Sequence, residues 1–142
     1  MKAFPLQTVL ELMQTRMDEA TNRLAQLIAN EKNEKNKLEM LQNYRHEYAM
    51  RFHEASLKGL TPNTWKNYRE FLGSLDEAIK VQEKVLEQQA RNTHRGQQQW
   101  KEQQKKLKAF DTLAERHNTR EKIRESRLEQ RNQDEFAIRL KK

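Results

Sequence analysis

One apolar repeat runs along most of the chain and is interrupted at a single place. From Leu6, alternating steps of four and three residues reach an apolar side chain at twelve of fifteen positions. The fifteen positions are Leu6, Leu10, Met13, Met17, Ala20, Leu24, Leu27, Glu31, Glu34, Leu38, Leu41, Arg45, Tyr48, Phe52 and Ala55. A 3.5-residue period sustained over this length is typical of a coiled coil, in which each helix buries one narrow seam. Because only 35% of the residues are hydrophobic, this order favours a coiled coil over a disordered chain.

The interruption at residues 59–63 has the composition of a helix end followed by a helix start. Gly59 suits the left-handed position after a helix, Thr61 is a good N-cap, and Pro62 fits the first helical turn. The sequence therefore predicts a tight reversal at about residues 58–62. The same stepping then resumes, and ten of its next fifteen positions are apolar. They are Trp65, Tyr68, Leu72, Leu75, Ile79, Gln82, Leu86, Gln89, Thr93, Gly96, Trp100, Gln103, Leu107, Phe110 and Ala114.

A short connection between two long helices favours an antiparallel hairpin, in which the numbers of facing residues add up to about 120. This register puts the polar interruption of the first seam, Glu31 and Glu34, near Gln82 and Gln89 of the second. The predicted fold is all-α, a long two-helix antiparallel coiled-coil hairpin forming a single domain over residues 1–142. Helix one covers about residues 5–57 and helix two about 63–135. Residues 115–142 have no partner left in helix one and overhang.

The composition argues against most catalytic chemistry. The chain has no Cys and four His, so disulfides and thiolate sites are excluded, and no His pair has the spacing of a zinc hydrolase. There is no glycine-rich phosphate loop, and a two-helix rod offers no cleft that would shift the pKa of a carboxyl group. We expect no enzymatic activity, catalytic residue, metal or cofactor. No apolar run of about 18 residues and no secretory signal are present, which predicts a cytoplasmic protein.

Positive charge concentrates in the second helix. Residues 1–60 carry 9 basic and 8 acidic groups and residues 61–90 carry 4 and 5, whereas residues 91–108 have six basic groups against one acidic group. We call these six the basic face: Arg91, Arg95, Lys101, Lys105, Lys106 and Lys108. Such a field attracts an acidic partner. The alternative is a solvated surface with no partner.

Near the reversal, apolar residues exceed what one seam needs. Tyr44 and Tyr48 are four residues apart, and Phe71, Leu75 and Ala78 share one face of the second helix. The register brings the two sets together. They form an exposed binding site or a locally widened core, and the sequence leaves both readings open.

Four stretches together resemble the flagellar type III export protein FliJ family, and the likeness covers nearly the whole chain. The stretches are residues 41–48, residues 65–79, residues 100–113 and residues 134–137. The likeness rests on the order of the four stretches and their spacing around one turn.

The resemblance implies a non-enzymatic stalk, similar to the γ subunit of rotary ATPases, that couples an ATPase ring to a membrane export gate. The implied partners are the export ATPase FliI with FliH, the export gate protein FlhA, and export chaperones. The implied place is the cytoplasmic side of the cell membrane, held peripherally by these partners, with a role in flagellum biogenesis, motility and chemotaxis. The family's gate-binding face corresponds to Tyr44, Tyr48, Phe71, Leu75 and Ala78. Gln82 stands at the edge of this face, where the family pattern can have His.

Two other functions are compatible with the sequence. One is a basic coiled coil that binds nucleic acid through residues 91–108, with steep salt dependence. The balanced charge of residues 1–90 makes nucleic acid an unexpected partner. The other is the equivalent stalk of a virulence type III secretion system, which has the same physical requirements.

Overall fold

The computed structural model describes residues 3–141, which form two long α-helices packed as a hairpin. Helix α1 is Gln7–Lys58 and helix α2 is Pro62–Leu140. No strand occurs among the described residues. Helix α2 continues about one turn beyond the end that the sequence analysis expects near residue 135. No Gly or Pro follows Gly96, so nothing in the sequence stops the helix earlier.

The buried side of each helix follows the predicted 3.5-residue repeat. Every position of the first seam is buried or half-buried except Leu6, which precedes α1, and every position of the α2 seam is buried or half-buried except Trp65. The polar positions within the seams, such as Glu34 and Gln82, are half-buried like their apolar neighbours. The seam therefore stays in register through its polar middle, as a coiled coil requires.

The reversal has the predicted chemistry. Gly59 has a φ of 93°, the left-handed conformation that glycine adopts without steric cost. The hydroxyl of Thr61 accepts a hydrogen bond of 3.2 Å from the backbone N–H of Thr64, which makes it the N-cap of α2. Pro62 is the first helical residue. These three roles are confirmed.

Contacts group the chain into two compact units, and the first contains the turn and residues 22–98. Here Arg45 contacts Asp76, and the hydroxyl of Thr93 donates to the backbone oxygen of Leu27 at 3.3 Å. In both pairs the residue numbers add up to about 120. The antiparallel register predicted from the sequence is therefore confirmed in this unit.

The second unit joins the residues up to Thr21 with those from Gln99 onward. The indole N–H of Trp100 donates to the hydroxyl of Thr21 at 3.0 Å. The ring of Phe4 lies 5.5 Å from that of His117. The same register holds here, and beyond Glu121 every described residue of α2 is exposed.

A close approach of the helices occurs at Gly96. A Cβ atom on this residue would lie 2.5 Å from Leu27 Cδ1 and 3.6 Å from Leu24 Cδ1. Gly96 and Thr93, one turn earlier, are both buried. Small side chains at these two seam positions let the leucines of α1 approach the backbone of α2.

Candidate interaction surfaces

Five aromatic side chains form a continuous ring cluster across the two helices near the turn. The ring centroid of Phe71 lies 4.4 Å from that of Tyr48 and 6.1 Å from that of Tyr44. The rings of Phe71 and Tyr44 meet edge to face, with an angle of 76° between their planes. Tyr68 lies 5.2 Å from both Tyr48 and Phe52. Such pairs contribute roughly 0.5–1.5 kcal/mol beyond the area that they bury. The ring cluster therefore holds the helices together at this level.

The ring cluster is partly core and partly surface. Tyr44 remains 47% exposed and Phe71 37% exposed. Tyr48, Phe52 and Tyr68 are half-buried behind them. Tyr44 and Phe71 thus present aromatic surface to solvent while their neighbours fix their positions.

The two other residues of the predicted gate-binding face are placed differently. Leu75 is only 8% exposed and belongs to the buried seam. Ala78 is half-buried. The fold thus brings Tyr44, Tyr48 and Phe71 into ring contact, while Leu75 and Ala78 follow along α2 at one and two turns from Phe71.

A two-point ion pair joins the helices beside the ring cluster. Arg45 Nε donates to Asp76 Oδ1 at 2.6 Å, and Arg45 Nη2 donates to Asp76 Oδ2 at 3.4 Å. This hydrogen bonding lowers the pKa of the Asp76 carboxyl and raises that of Arg45, although partial desolvation opposes both shifts. The register alone places Tyr44 opposite Asp76, and the side chain that reaches it is the adjacent Arg45.

Gln82, at the edge of the predicted face, is hydrogen-bonded to Glu34 of α1. Its amide nitrogen donates to Glu34 Oε2 at 2.5 Å and to the Glu34 backbone oxygen at 3.0 Å. The hydrogen bond from Gln82 is the main reason why the pKa of Glu34 is lowered. The prediction that polar residues face each other in the middle of the seams is confirmed here.

All six residues of the basic face are exposed on α2. Arg91 donates to Gln88 Oε1 at 2.8 Å, one turn away on the same helix. Within residues 3–141, no ion pair joins any of the six to a carboxylate. Their charge is therefore directed to solvent.

Two general features bear on function. Across the described part of the chain, no three or more His, Cys, Asp or Glu residues come together as potential metal ligands. Neither helix, over residues 3–141, contains a stretch apolar enough to cross a bilayer.

Several residues of this region are not singled out by the sequence analysis. Phe52 and Tyr68 are predicted as seam residues, yet they also belong to the ring cluster. Met40 and Val81 are strongly exposed apolar side chains close in sequence to Tyr44 and Ala78. Val85 is also exposed and follows Ala78 by one heptad. The seven-residue spacing of Phe71, Ala78 and Val85, two turns per step, is the signal that could have found this edge of α2.

Comparison with known families gives a match over almost the entire chain. Residues 1–141 match the family described as Flagellar FliJ protein. The Flagellar FliJ protein of Escherichia coli (strain K12) is 31% identical over 134 residues, which cover 94% of this chain and 91% of the relative. The Flagellar FliJ protein of Salmonella typhi is 28% identical over the same shares of both chains.

Among solved structures, the chain is similar to a putative YscO homolog, CT670 from Chlamydia trachomatis. The TM-score is 0.60, and the match covers 99% of this chain and 95% of that one. The sequence identity is 18%, so this likeness concerns the fold.

Proposed function

This chain belongs to the Flagellar FliJ protein family, and we propose that it is a non-enzymatic stalk that links the ATPase of flagellar protein export to the export gate. Family membership makes it a flagellar type III export component. The finer proposal concerns which surfaces meet which partners. It assigns the exposed part of the ring cluster to the gate protein FlhA and the basic face to the ATPase FliI, which acts with FliH. It also includes the handling of empty export chaperones.

The gate contact is assigned first to Tyr44 and Phe71. Exposed aromatic residues contribute strongly to binding when they enter a pocket on a partner. Tyr48 supports Phe71 from behind at 4.4 Å, and Leu75 supports the same level of α2 from the buried seam. Ala78 has a small side chain beside the exposed Val81, so a partner can approach the α2 backbone closely there.

The ATPase contact is assigned to the basic face. Six exposed cations without a carboxylate partner among the described residues attract an acidic surface from a distance and increase the rate of encounter. The protein then stays on the cytoplasmic side of the cell membrane through its partners.

A single observation carries the gate assignment: two half-exposed aromatic rings, Tyr44 and Phe71, are held edge to face by contacts that cross the helix pair. Fixed rings bind a partner with a smaller loss of side-chain entropy than mobile ones. This arrangement favours a docking surface over a simple widening of the core.

Calorimetric titration with the purified cytoplasmic domain of FlhA tests the assignment. For the paired substitution Tyr44→Ala with Phe71→Ala, we expect at least about tenfold weaker binding, as for central aromatic residues of an interface. Leu57→Ala is the matched control, because Leu57 is exposed and lies outside the ring cluster. Circular dichroism checks that both variants remain helical. Unchanged affinity of the double variant would overturn the gate assignment.

A further inference from the structure

An acidic groove lies between α1 and α2 in the unit that contains the turn. It has a volume of about 810 Å³. Leu38 and Leu86 are half-buried in its floor, and Ile28 adds exposed apolar surface. Four exposed or half-buried carboxylates line it: Glu31, Glu39, Glu83 and Glu87. Lys32 and Lys35 also line it, but the four carboxylates outnumber these two lysines, so the net charge of the groove is negative.

Although Lys32 and Lys35 line the acidic groove, neither forms an ion pair with its four carboxylates in the described structure. Over residues 3–141, no ion pair within 4.0 Å involves any of them. An apolar floor rimmed by unpaired carboxylates is suited to a helix that carries both apolar and basic side chains. The apolar floor alone would accept any helix with an apolar face. The acidic rim restricts binding to a helix that also carries positive charge.

The described part of α2 from Arg120 onward carries such a combination. Arg120, Arg124, Arg127 and Arg131 follow one another in steps of four, three and four residues, so they share one face of the helix. We call this line the arginine stripe. All four side chains are exposed, and only Arg124 has an ion pair, with Glu121 at the 4.0 Å limit, among the described residues.

Two apolar side chains flank the arginine stripe. Ile123 is 47% exposed and Leu128 is 49% exposed. Apart from the half-buried Glu121, every described residue of this part of α2 is exposed. Among the described residues, the stripe therefore presents four cations and two large apolar groups on a surface that α1 leaves uncovered.

We propose that the acidic groove binds the arginine stripe of a second copy of this chain. The two surfaces are complementary among the described residues: the groove has four carboxylates without an ion pair around an apolar floor, and the stripe has three guanidinium groups without one, beside exposed apolar side chains. Arginine can bind a carboxylate at two points, and its stem packs on apolar surface. Two equivalent contacts of this kind, one in each direction, form a symmetric dimer. The export partners are not needed for it, so its failure would leave the gate assignment intact.

Sedimentation equilibrium of the full-length chain tests the proposal. We expect a dimer whose dissociation constant rises by at least about tenfold between about 0.1 M and about 1 M NaCl, because the Debye length falls from about 10 Å to about 3 Å. The groove variant Glu83→Lys with Glu87→Lys and the stripe variant Arg127→Glu with Arg131→Glu should each weaken association by at least about tenfold. All four residues are exposed, so both variants should keep their helicity.

Mixing the two variants gives the sharper result. In the mixed dimer, the basic groove of the groove variant meets the acidic stripe of the stripe variant. The unchanged groove of the stripe variant meets the unchanged stripe of the groove variant. We expect the equimolar mixture to recover association at low salt. The control Glu70→Lys with Glu77→Lys makes the same charge change outside the groove and should dimerise normally. A chain that stays monomeric at low salt, a mixture that fails to associate, or a control as weak as the groove variant would each overturn the proposal.

Discussion

Arg45 and Asp76 form a two-point ion pair across the helices, with Arg45 Nε 2.6 Å from Asp76 Oδ1. Arg45 is one of the three polar positions in the seam of α1, and it lies between Tyr44 and Tyr48 of the ring cluster. The ion pair fixes which residues of α1 and α2 lie opposite each other at the level where Tyr44 and Phe71 are exposed. A polar residue in the seam thus specifies register where the proposed docking surface needs it.

Stability should depend on pH through Asp76. Its pKa is lowered in the folded chain, mainly by the hydrogen bond from Arg45. The ion pair therefore contributes fully to the free energy of unfolding above the ordinary Asp pKa of about 3.9. This contribution is lost as the pH falls through the lower pKa of Asp76 in the folded chain. Both side chains are 40–46% exposed, so screening limits the effect to about 0.5 kcal/mol.

Urea titrations of the wild type and Asp76→Asn, at pH values from neutral downward, measure the contribution of this ion pair to the free energy of unfolding. The wild type should be more stable at neutral pH, and the difference should shrink below a pH of about 4. Comparing two proteins that both contain Glu34 removes the parallel contribution of that residue. A difference that stays constant over the whole range would show that the ion pair does not act through the Asp76 carboxylate.

Leu75 should act through stability. It is 8% exposed, so Leu75→Ala should lower the free energy of unfolding by about 2–3 kcal/mol, as for other buried leucines. The exposed Leu57→Ala should change it by less than about 0.5 kcal/mol. Measured at a temperature where it is fully folded, Leu75→Ala should bind the gate domain almost normally. A variant with normal stability and lost binding would instead place Leu75 in the contact.

The helical glycines Gly73 and Gly96 should respond oppositely to larger side chains. At Gly73 an added Cβ meets nothing within 4 Å, so Gly73→Ala should stabilise the chain by about 0.8–1 kcal/mol through helix propensity. At Gly96 the Cβ would lie 2.5 Å from Leu27 Cδ1. Gly96→Leu should therefore cost about 1–3 kcal/mol by overpacking.

Thermal unfolding of these variants, with Gly73→Leu as the size-matched control, distinguishes crowding from propensity. Adding Leu27→Ala should recover part of the loss in Gly96→Leu, because the two side chains compete for the same space. Equal effects of Leu at both glycines would contradict the close approach of the helices at Gly96.

Two glutamines in the α2 seam should be dispensable for stability. The side-chain oxygens of Gln89 and Gln103 are buried without a hydrogen-bond partner among the described residues. Replacing each by Leu removes an unsatisfied acceptor and should stabilise the chain by about 1 kcal/mol. Gln88→Leu, at an exposed position, should have little effect. The comparison uses urea midpoints, and a loss of stability in Gln89→Leu and Gln103→Leu would contradict their assignment to the buried seam.

The hairpin follows from features that the sequence displays directly. A strict 3.5-residue repeat can bury only one line along each helix, and Gly59, Thr61 and Pro62 allow the chain to reverse at one place. The register then follows from the position of the turn. This is why the approach of Glu34 to Gln82 could be predicted from numbers alone.

Side-chain detail was less accessible to sequence reasoning. The repeat places Leu75 in the seam and Phe71 beside it, and their exposed fractions of 8% and 37% agree with that placement. The repeat does not show which rings hold Phe71, because that depends on the side chains that α1 offers at that level. The Arg45 contact with Asp76 was missed for a related reason, since a long side chain reaches past the residue directly opposite. The acidic groove needs both helices at once, so a pattern along either helix does not reveal it.

The proposed bridging role of the chain can be tested in one reconstitution. FliI is immobilised, and capture of the FlhA cytoplasmic domain is recorded with and without the chain. The proposed function predicts capture only when the chain is present, and the paired substitution Tyr44→Ala with Phe71→Ala should weaken capture by at least about tenfold while the chain itself stays bound to FliI. Capture that does not require the chain, or that this double substitution leaves unchanged, would contradict the proposed link between ATPase and gate.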